Sequence, residues 1–512
     1  MNARPSPVVP GLARYLILLA TFGLAGCGML VPKPIDHDAL ALAAKERLRA
    51  LIASEAPVTA PISLYEAMAR ALKYNLDQKI ELASASLRQR QLDLIKLDML
   101  PNFVASGGYS DRSNDAASSS RSIRTGNQSL EPSVSSDRKD RNADLGVSWD
   151  ALDFGLSFVR AQQAGDEKLI ALETRRKVIN RILEDVRTAY WRAVSADRTY
   201  RKLADVEALA QRALRQSEDL EKRRLAPLGT TLTYQRDLLQ VQSDVQKLQR
   251  ELSLAKAQLA ALMNLPPDTN YPLVLPDRTD IYPELPGSAD EMVLVGLRYR
   301  PELREAAYRK RINEREQTAA VLKALPSIKT VLGLDYDSNS YLTNNIWSTA
   351  SARVTWNLLE LFRYPARKQA IQAEADVLSQ RDLALTMAVL TQIHVARVRF
   401  LRLSDELNIS RRSQGVEDRI LELARNGFKA RSVSQQALVR EEMNAVLADV
   451  RYDGAYADLQ NAYANLYASM GLDNFDFDAD VPLKKITEEL EKHWTERALL
   501  LPAFPEKSDA PS

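Results

Sequence analysis

Hydrophobic and polar positions alternate along four short stretches of the chain. In 103–109, Phe103, Ala105, Gly107 and Tyr109 share one face and Val104, Ser106 and Gly108 the other. In 143–150, Ala143, Leu145, Val147 and Trp149 oppose Asp144, Gly146, Ser148 and Asp150. Further on, Ile328, Thr330, Leu332, Leu334 and Tyr336 oppose Lys329, Val331, Gly333 and Asp335. Ala350, Ala352, Val354, Trp356 and Leu358 then oppose Ser351, Arg353, Thr355 and Asn357. A period of two predicts extended strands. Ten or so residues, apolar on one face and polar on the other, have the length of a transmembrane β-barrel strand. A soluble hairpin with one wet face alternates identically, so other signals must decide. Trp149 and Trp356 close their strands on the apolar face, where an interfacial aromatic girdle would lie. The connection 110–142 is rich in Ser, Arg and Asp, as suits a solvated loop. Both favour the barrel. Four strands cannot close a useful barrel alone, so several copies are required.

Around each hairpin the period becomes helical. The preceding helix is expected to end at Leu100-Pro101 and at Leu325-Pro326, because the residue before proline is driven out of the helical region. Afterwards, 156–226 holds no proline and one glycine, Gly165, and 366–481 holds no proline. A continuous helix over the first of these would reach roughly 100 Å. Val186, Ala189, Ala193, Ala196, Tyr200, Leu203, Ala210, Ala213 and Leu220 recur at near-heptad spacing and predict a coiled-coil seam. The helix is expected to break at Pro227-Leu228-Gly229-Thr230 and at Asn426-Gly427, then return over 231–265 and 433–471.

The two halves are copies. Ala71-Leu72-Lys73-Tyr74-Asn75 aligns with Gly296-Leu297-Arg298-Tyr299-Arg300 at an offset of 225, and the Leu-Pro pairs align without a gap. Val147 to Phe154 aligns with Val354 to Leu361 at an offset of 207, as do Arg160 with Arg367 and Leu262-Met263-Asn264-Leu265 with Ser469-Met470-Gly471-Leu472. The difference of 18 falls between the blocks, in the 110–142 loop. Copies this long are duplicated domains rather than solenoid units.

Composition agrees with long helices. Aromatics are 6% of the chain. Ala, Leu, Gln, Arg and Glu dominate long stretches, as they do in extended helical proteins. The formal charge of +2 gives no field that would attract nucleic acid. The one cysteine, Cys27, permits no intrachain disulfide. It follows Arg4 and Arg14, the short apolar run 15–24, and Leu24-Ala25-Gly26. That order predicts a signal peptide over 1–26, and Leu24-Ala25-Gly26-Cys27 matches the bacterial lipobox, in which the cysteine is acylated and becomes the new N-terminus. Gly28, in place of Asp, resembles lipoproteins sent on to the outer membrane. His37, His394 and His493 are too far apart in sequence to share metal-ligand spacing. No phosphate-cradling glycine loop or nucleophile elbow is present, so the residues give no footing for catalysis, a cofactor or a metal.

Taken together, these segments resemble the outer membrane efflux (TolC-like) family over roughly residues 60–475. The resemblance rests on the Ala-Leu-x-x-Asn start at Ala71, the Leu-Pro pairs and the Trp149-Asp150-x-Leu152-Asp153 exit with its counterpart Trp356-Asn357-x-Leu359-Glu360. The turn-and-return segment Gly427-Phe428-Lys429-Ala430-Arg431-Ser432-Val433 adds to these. It implies a mainly α fold with a β-barrel portion, built from duplicated helix–hairpin–long helix–turn–helix units. Three copies would form a homotrimer with a twelve-strand barrel continuous with a twelve-helix periplasmic tunnel. The function implied is the outer-membrane channel of a tripartite efflux or secretion system, without enzymatic activity. Its partners would be a periplasmic adaptor (membrane fusion) protein, an inner-membrane pump and outer-membrane lipid. A type I protein or polysaccharide secretion outlet is the alternative, and a non-conducting periplasm-spanning lipoprotein is a further one, disfavoured by the two amphipathic hairpins.

On this resemblance Pro227, Leu228, Gly229, Asn426 and Gly427 mark the periplasmic tip and adaptor contact, and Tyr234, Asp237, Arg431 and Gln435 are gate candidates. Many family members carry an acid just after the turn. Here Gln435 and Tyr234 stand at the corresponding places, with Asp237 and Glu441 one to two turns further, which implies weak cation preference at the tip. The expected division is a signal peptide 1–26, a lipidated linker 27–60, a first repeat 61–287 with its hairpin near 102–152, a second repeat 288–474 with its hairpin near 327–359, and a periplasmic tail 475–512.

Overall fold

The computed structural model describes residues 34–497, apart from 54–55, 130, 226, 267–268, 279–283, 474, 476 and 478–480. Cys27 and the leader lie outside the described residues. The chain divides into two units, Met1–Pro57 and Val58–Ser512. Helix α1 (His37–Ala53) belongs to the first.

In the second unit the duplication is visible element by element. Helix α2 (Leu64–Tyr74) matches α6 (Ala289–Tyr299), and α3 (Leu76–Leu97) matches α7 (Pro301–Lys323), both at the offset of 225. Beyond the hairpins, α4 (Ala151–Lys222) matches α8 (Leu358–Lys429), and α5 (Leu228–Leu262) matches α9 (Gln435–Ser469), at the offset of 207. Helices α4 and α8 have 72 residues each, about 110 Å of helix. A last helix, α10 (Leu483–Arg497), packs against α2. No helix among the described residues is long and apolar enough to cross a membrane.

The motif residues act as helix caps. Asn75, which ends the Ala-Leu-x-x-Asn start, accepts from Asp77 N (2.9 Å) and opens α3. Its counterpart Arg300 makes no side-chain cap, but Pro301 at the first helical position needs no N–H partner. Asp150 and Asn357 each follow a segment ending in tryptophan and start the two long helices. They accept from Leu152 N (2.9 Å) and Leu359 N (3.2 Å) respectively, satisfying N–H groups that have no partner inside the helix. Ser288 and Glu291 form a reciprocal capping box on α6.

The hairpins form one antiparallel sheet of β1 (Asn102–Asp111), β4 (Lys139–Asp150), β5 (Ser327–Asp337) and β6 (Ile346–Thr355), in the order β1-β4-β5-β6. Two short strands, β2 (Ala117–Ser118) and β3 (Ser133–Val134), pair within the long first loop. The copies join at β4 and β5, where Val147 faces Leu332 and Leu145 faces Leu334.

The alanine seam is buried as expected at Val186, Ala189, Ala193, Ala196, Leu203, Ala210 and Ala213. Small side chains there allow α4 to meet both α5 and α9 closely. Tyr200 and Leu220 depart from the expectation. Tyr200 is 61% exposed and Leu220 43% exposed. The reason is that the seam drifts around a straight helix over so many turns.

The breaks also move. Pro227 is the N-cap of α5, and Leu228 and Gly229 are already helical. Asn426 and Gly427 lie inside the last turn of α8. The chain instead reverses around Arg224 and Arg431, at an αL residue after each long helix rather than at its proline or glycine.

Candidate channel-forming surfaces

The sheet is inside-out by the standards of a soluble protein. Along β4 the apolar Leu145, Val147 and Trp149 are exposed, while Asp144, Gly146, Ser148 and Asp150 are half-buried. Along β5 the exposed side chains are Ile328, Leu332, Leu334 and Tyr336, and Val331, Gly333, Asp335 and Asp337 are the shielded ones. Val354 and Ile346 on β6 and Phe103 on β1 extend the apolar face, each more than two-thirds exposed. In water such a face would carry a large hydration cost; in hydrocarbon it carries none. Trp149 packs on Phe154 with ring centroids 5.5 Å apart, and Trp356 Nε1 donates to Ala324 O at 3.1 Å. Both tryptophans are thus anchored where strands become helices, with the indole N–H of Trp356 satisfied.

The shielded face is acidic. Asp140, Asp144, Asp150, Asp335 and Asp337 outnumber Lys329 and Arg353. Asp144 and Asp335 are directly opposite across β4 and β5, a like-charge pairing that costs stability unless each is solvated or bonded. Ser106 donates to Asp144 (3.0 Å), and Thr349 donates to Asp335.

Below the sheet the long helices are fastened by ion pairs. At the join of the copies, Asp166 on α4 accepts from Arg311 and Arg315 on α7, and Lys177 reaches Glu305 at 2.6 Å. Burial alone would push the Glu305 carboxyl up, but Lys177 and Arg309 beside it hold it below the usual value. Further down, Arg278 from the linker after α5 bonds Asp449 (3.0 Å) and Asp453 (2.7 Å) on α9 and stacks over Tyr452 at 4.4 Å. Arg198 on α4 also bonds Asp453 (2.7 Å), and Lys202 bonds Asp449.

An amphipathic four-strand sheet with its apolar face outward, set on paired 72-residue helices, identifies the architecture. No family model and no curated protein matches the sequence. Solved structures do match. The outer membrane channel CmeC of Campylobacter jejuni superposes with a TM-score of 0.63 at 15% identity, covering 84% of this chain and 89% of that chain. The MtrE outer membrane channel of Neisseria gonorrhoeae, in its open state, gives 0.61 at 18% identity, covering 81% and 91%. CusC, whose structures report on transmembrane channel formation, gives 0.62 at 17% identity, covering 80% and 92%. The chain has the TolC-like outer-membrane-channel fold. Its duplicated helix–hairpin–long helix–turn–helix units, and a sheet left open within one protomer, are those of that fold.

Within the TolC-like fold the residues expected at the tip lie around the turns that join α4 to α5 and α8 to α9. Leu228 is exposed, as is Asn426 in α8, whose carbonyl accepts from Ala430 N (3.0 Å). Gly427 is needed for close approach, since an added Cβ would meet Val433 Cγ2 at 2.4 Å. Arg431 is the αL turn residue itself. Gln435 opens α9 beside the N-cap Ser434, which accepts from Ala437 N (3.2 Å).

Tyr234 is half-buried against Ala210, Ala213, Leu238 and Val439, and burial pushes its hydroxyl pKa up. Asp237 lies 3.4 Å from Arg236 and 4.0 Å from Arg440 on α9. The pairing of Gln435 with Tyr234 as equivalents is corrected by the helix bounds. At the offset of 207, Gln435 corresponds to Leu228 and Tyr234 to Glu441, because α5 and α9 start at Leu228 and Gln435. No local sequence signal marks the two-bond clamp of Arg425 on α8 to Glu442 on α9 (both 2.8 Å), near the α8–α9 turn. Arg224, the second αL residue, is legible in the sequence only through the 207 offset from Arg431.

Proposed function

We propose that the chain is the outer-membrane channel component of a tripartite efflux or secretion system. Three copies assemble as a homotrimer; twelve strands close one barrel in the outer membrane, and twelve long helices enclose a tunnel through the periplasm. The observation that carries this reading is the sheet, apolar on its exposed face and open at both edges, β1 and β6. In hydrocarbon every unsatisfied backbone group on those edges costs several kcal/mol, so such a sheet demands closure by other copies.

Substrates reach the tunnel from an inner-membrane pump through a periplasmic adaptor, which meets the tip at Pro227, Leu228, Gly229, Asn426 and Gly427. Leu225 and Leu423 near that end are both well exposed, and apolar side chains left in water support a docking role. Tyr234, Asp237, Arg431 and Gln435 belong to the gate. Residues 1–26 are removed on export, Cys27 carries lipid, 27–60 link the anchor to the body, and 475–512 form a periplasmic tail. The test is a detergent-purified particle in planar bilayers, expected at trimer mass with stepwise conductance. A stable, folded particle of monomer mass would sink the reading.

A further inference from the structure

The turns that join α4 to α5 and α8 to α9 carry one sign of charge. From Lys222 to Arg236, and again from Leu423 to Arg440, there are four basic residues and no acidic one. The two turns are neighbours, since Tyr234 packs with Val439 and Arg440 lies 4.0 Å from Asp237. Half of these cations are already paired. Arg223 meets Asp219 (2.9 Å) and Arg425 meets Glu442 (2.8 Å), while Arg236 and Arg440 share Asp237. Lys222, Arg224, Lys429 and Arg431 are exposed, and among the described residues none of the four has a carboxylate partner.

These four are two pairs of equivalents. At the offset of 207, Lys222 corresponds to Lys429 and Arg224 to Arg431. The exposed apolar residues beside them are not repeated. Leu225, Leu228 and Phe428 correspond to Ser432, Gln435 and Glu221. Apolar groups that differ between the turns suit a partner that reads one turn. Cations kept in both turns belong to what both copies do, which is to surround the entrance. The helix dipole accounts for a cation in each last turn, at Lys222 and Lys429. It does not account for an αL backbone at Arg224 and Arg431, where glycine is favoured.

We infer that the turn end of the channel is an anion-collecting mouth, and that the substrates it admits are anionic, bearing phosphate or carboxylate groups. The inference rests on the channel reading above, in which three copies, each with two such turns, ring one entrance. A missing acid after the turn implies only weak cation preference; unpaired cations go further and reverse it.

The acidic inner face of the sheet does not cancel this field. Helix α4 starts where β4 ends and runs 72 residues to its turn, about 110 Å. The screening length in physiological salt is about 8 Å. The two ends therefore act independently, and the end that a substrate meets first is the basic one.

The experiment uses the full chain in planar bilayers, with sodium tripolyphosphate or hexaamminecobalt(III) added to one side at a time. Tripolyphosphate should block from one side only, less so as ionic strength rises, and hexaamminecobalt(III) should not block from that side. Lys222→Gln, Arg224→Gly, Lys429→Gln and Arg431→Gly together should weaken the tripolyphosphate block by about tenfold or more. Glycine suits the αL turns, so this neutral variant keeps its fold, which native mass checks. Exchanging lysine and arginine at the same four positions keeps the charge and should keep the block, separating charge from gating. Equal block of wild type and neutral variant, or stronger block by hexaamminecobalt(III) from that side, overturns the inference and leaves the channel standing. Unchanged block with efflux lost in cells assigns the cations to a protein partner and overturns it as well. A monomer-mass particle without conductance overturns the channel reading itself.

Discussion

Arg224 and Arg431 hold the same left-handed backbone conformation, φ 53° and 57°, at the two points where the long helices turn back. Each closes the same pair of bonds: Arg224 N and Leu225 N donate to Glu221 O and Leu220 O, and Arg431 N and Ser432 N to Phe428 O and Gly427 O. This is the Schellman arrangement, which glycine normally fills. A Cβ in this region costs about 1–2 kcal/mol. Arg224→Gly and Arg431→Gly should each stabilise the turn by about 1 kcal/mol, seen as a raised thermal midpoint of the purified protein. Gly471→Ala should do the reverse, since its Cβ would lie 2.6 Å from the Tyr299 carbonyl carbon at φ 72°. No stabilisation in either arginine variant would mean that the side chains contribute contacts worth the strain.

Retaining that strain at both turns suits a latch. Arg431→Ser combined with Tyr234→Phe should raise single-channel conductance and sensitise cells to large antibiotics at unchanged expression. Exposed contacts of about 0.2–1 kcal/mol are enough to hold a marginal closed state that a docking partner overrides. Unaltered conductance would place the constriction elsewhere on α5 and α9.

The Arg278 clamp predicts an acid limit. Burial pushes the Asp449 carboxyl up, but Lys202 and Arg278 outweigh it and hold the pKa below the usual aspartate value. A lowered native pKa means the stabilisation is fully present above the unfolded value, near about 3.9, and is lost as pH falls through the native value. Unfolding midpoints should therefore be flat near neutrality and drop in acid. Asp449→Asn should cost about 3 kcal/mol at neutral pH and flatten that drop. An unchanged acid profile in the variant would assign the transition to other carboxylates.

The acidic inner face of the sheet predicts ion preference. Asp144→Asn with Asp335→Asn removes the directly opposed pair and should shift the zero-current potential in a salt gradient toward anions. The shift should shrink at high ionic strength as screening grows. An identical potential in the double variant would show that the tip, not the barrel, sets selectivity.

The proposed lipid anchor should be separable from spanning. Cys27→Ala should abolish labelled palmitate incorporation while channels still form, because the strands provide insertion. Incorporation that persists in the variant would reject the lipobox reading.

Pattern alone determined much of this protein. The alternation at 103–109 and 328–336 announces strands because side chains on a strand point to opposite faces, and the repeat at Trp149 and Trp356 announces duplication. The caps Asn75, Asp150 and Asn357 are legible as motif residues because a cap acts on its own neighbours in sequence. What tertiary structure decided was everything set by distant partners. The turn positions shift by several residues because an αL residue, invisible in composition, reverses the chain. Tyr200 falls out of the seam because a long helix rotates its faces past its neighbours. The pairs Asp166–Arg311 and Arg278–Asp449 join residues more than a hundred positions apart, and no local period encodes them. Which face of the sheet is outward is likewise settled only when the strands are assembled, with Leu145 and Val147 exposed and Asp144 shielded. Alternation fixes that two faces differ; the solvent each one meets depends on what the fold puts beside it.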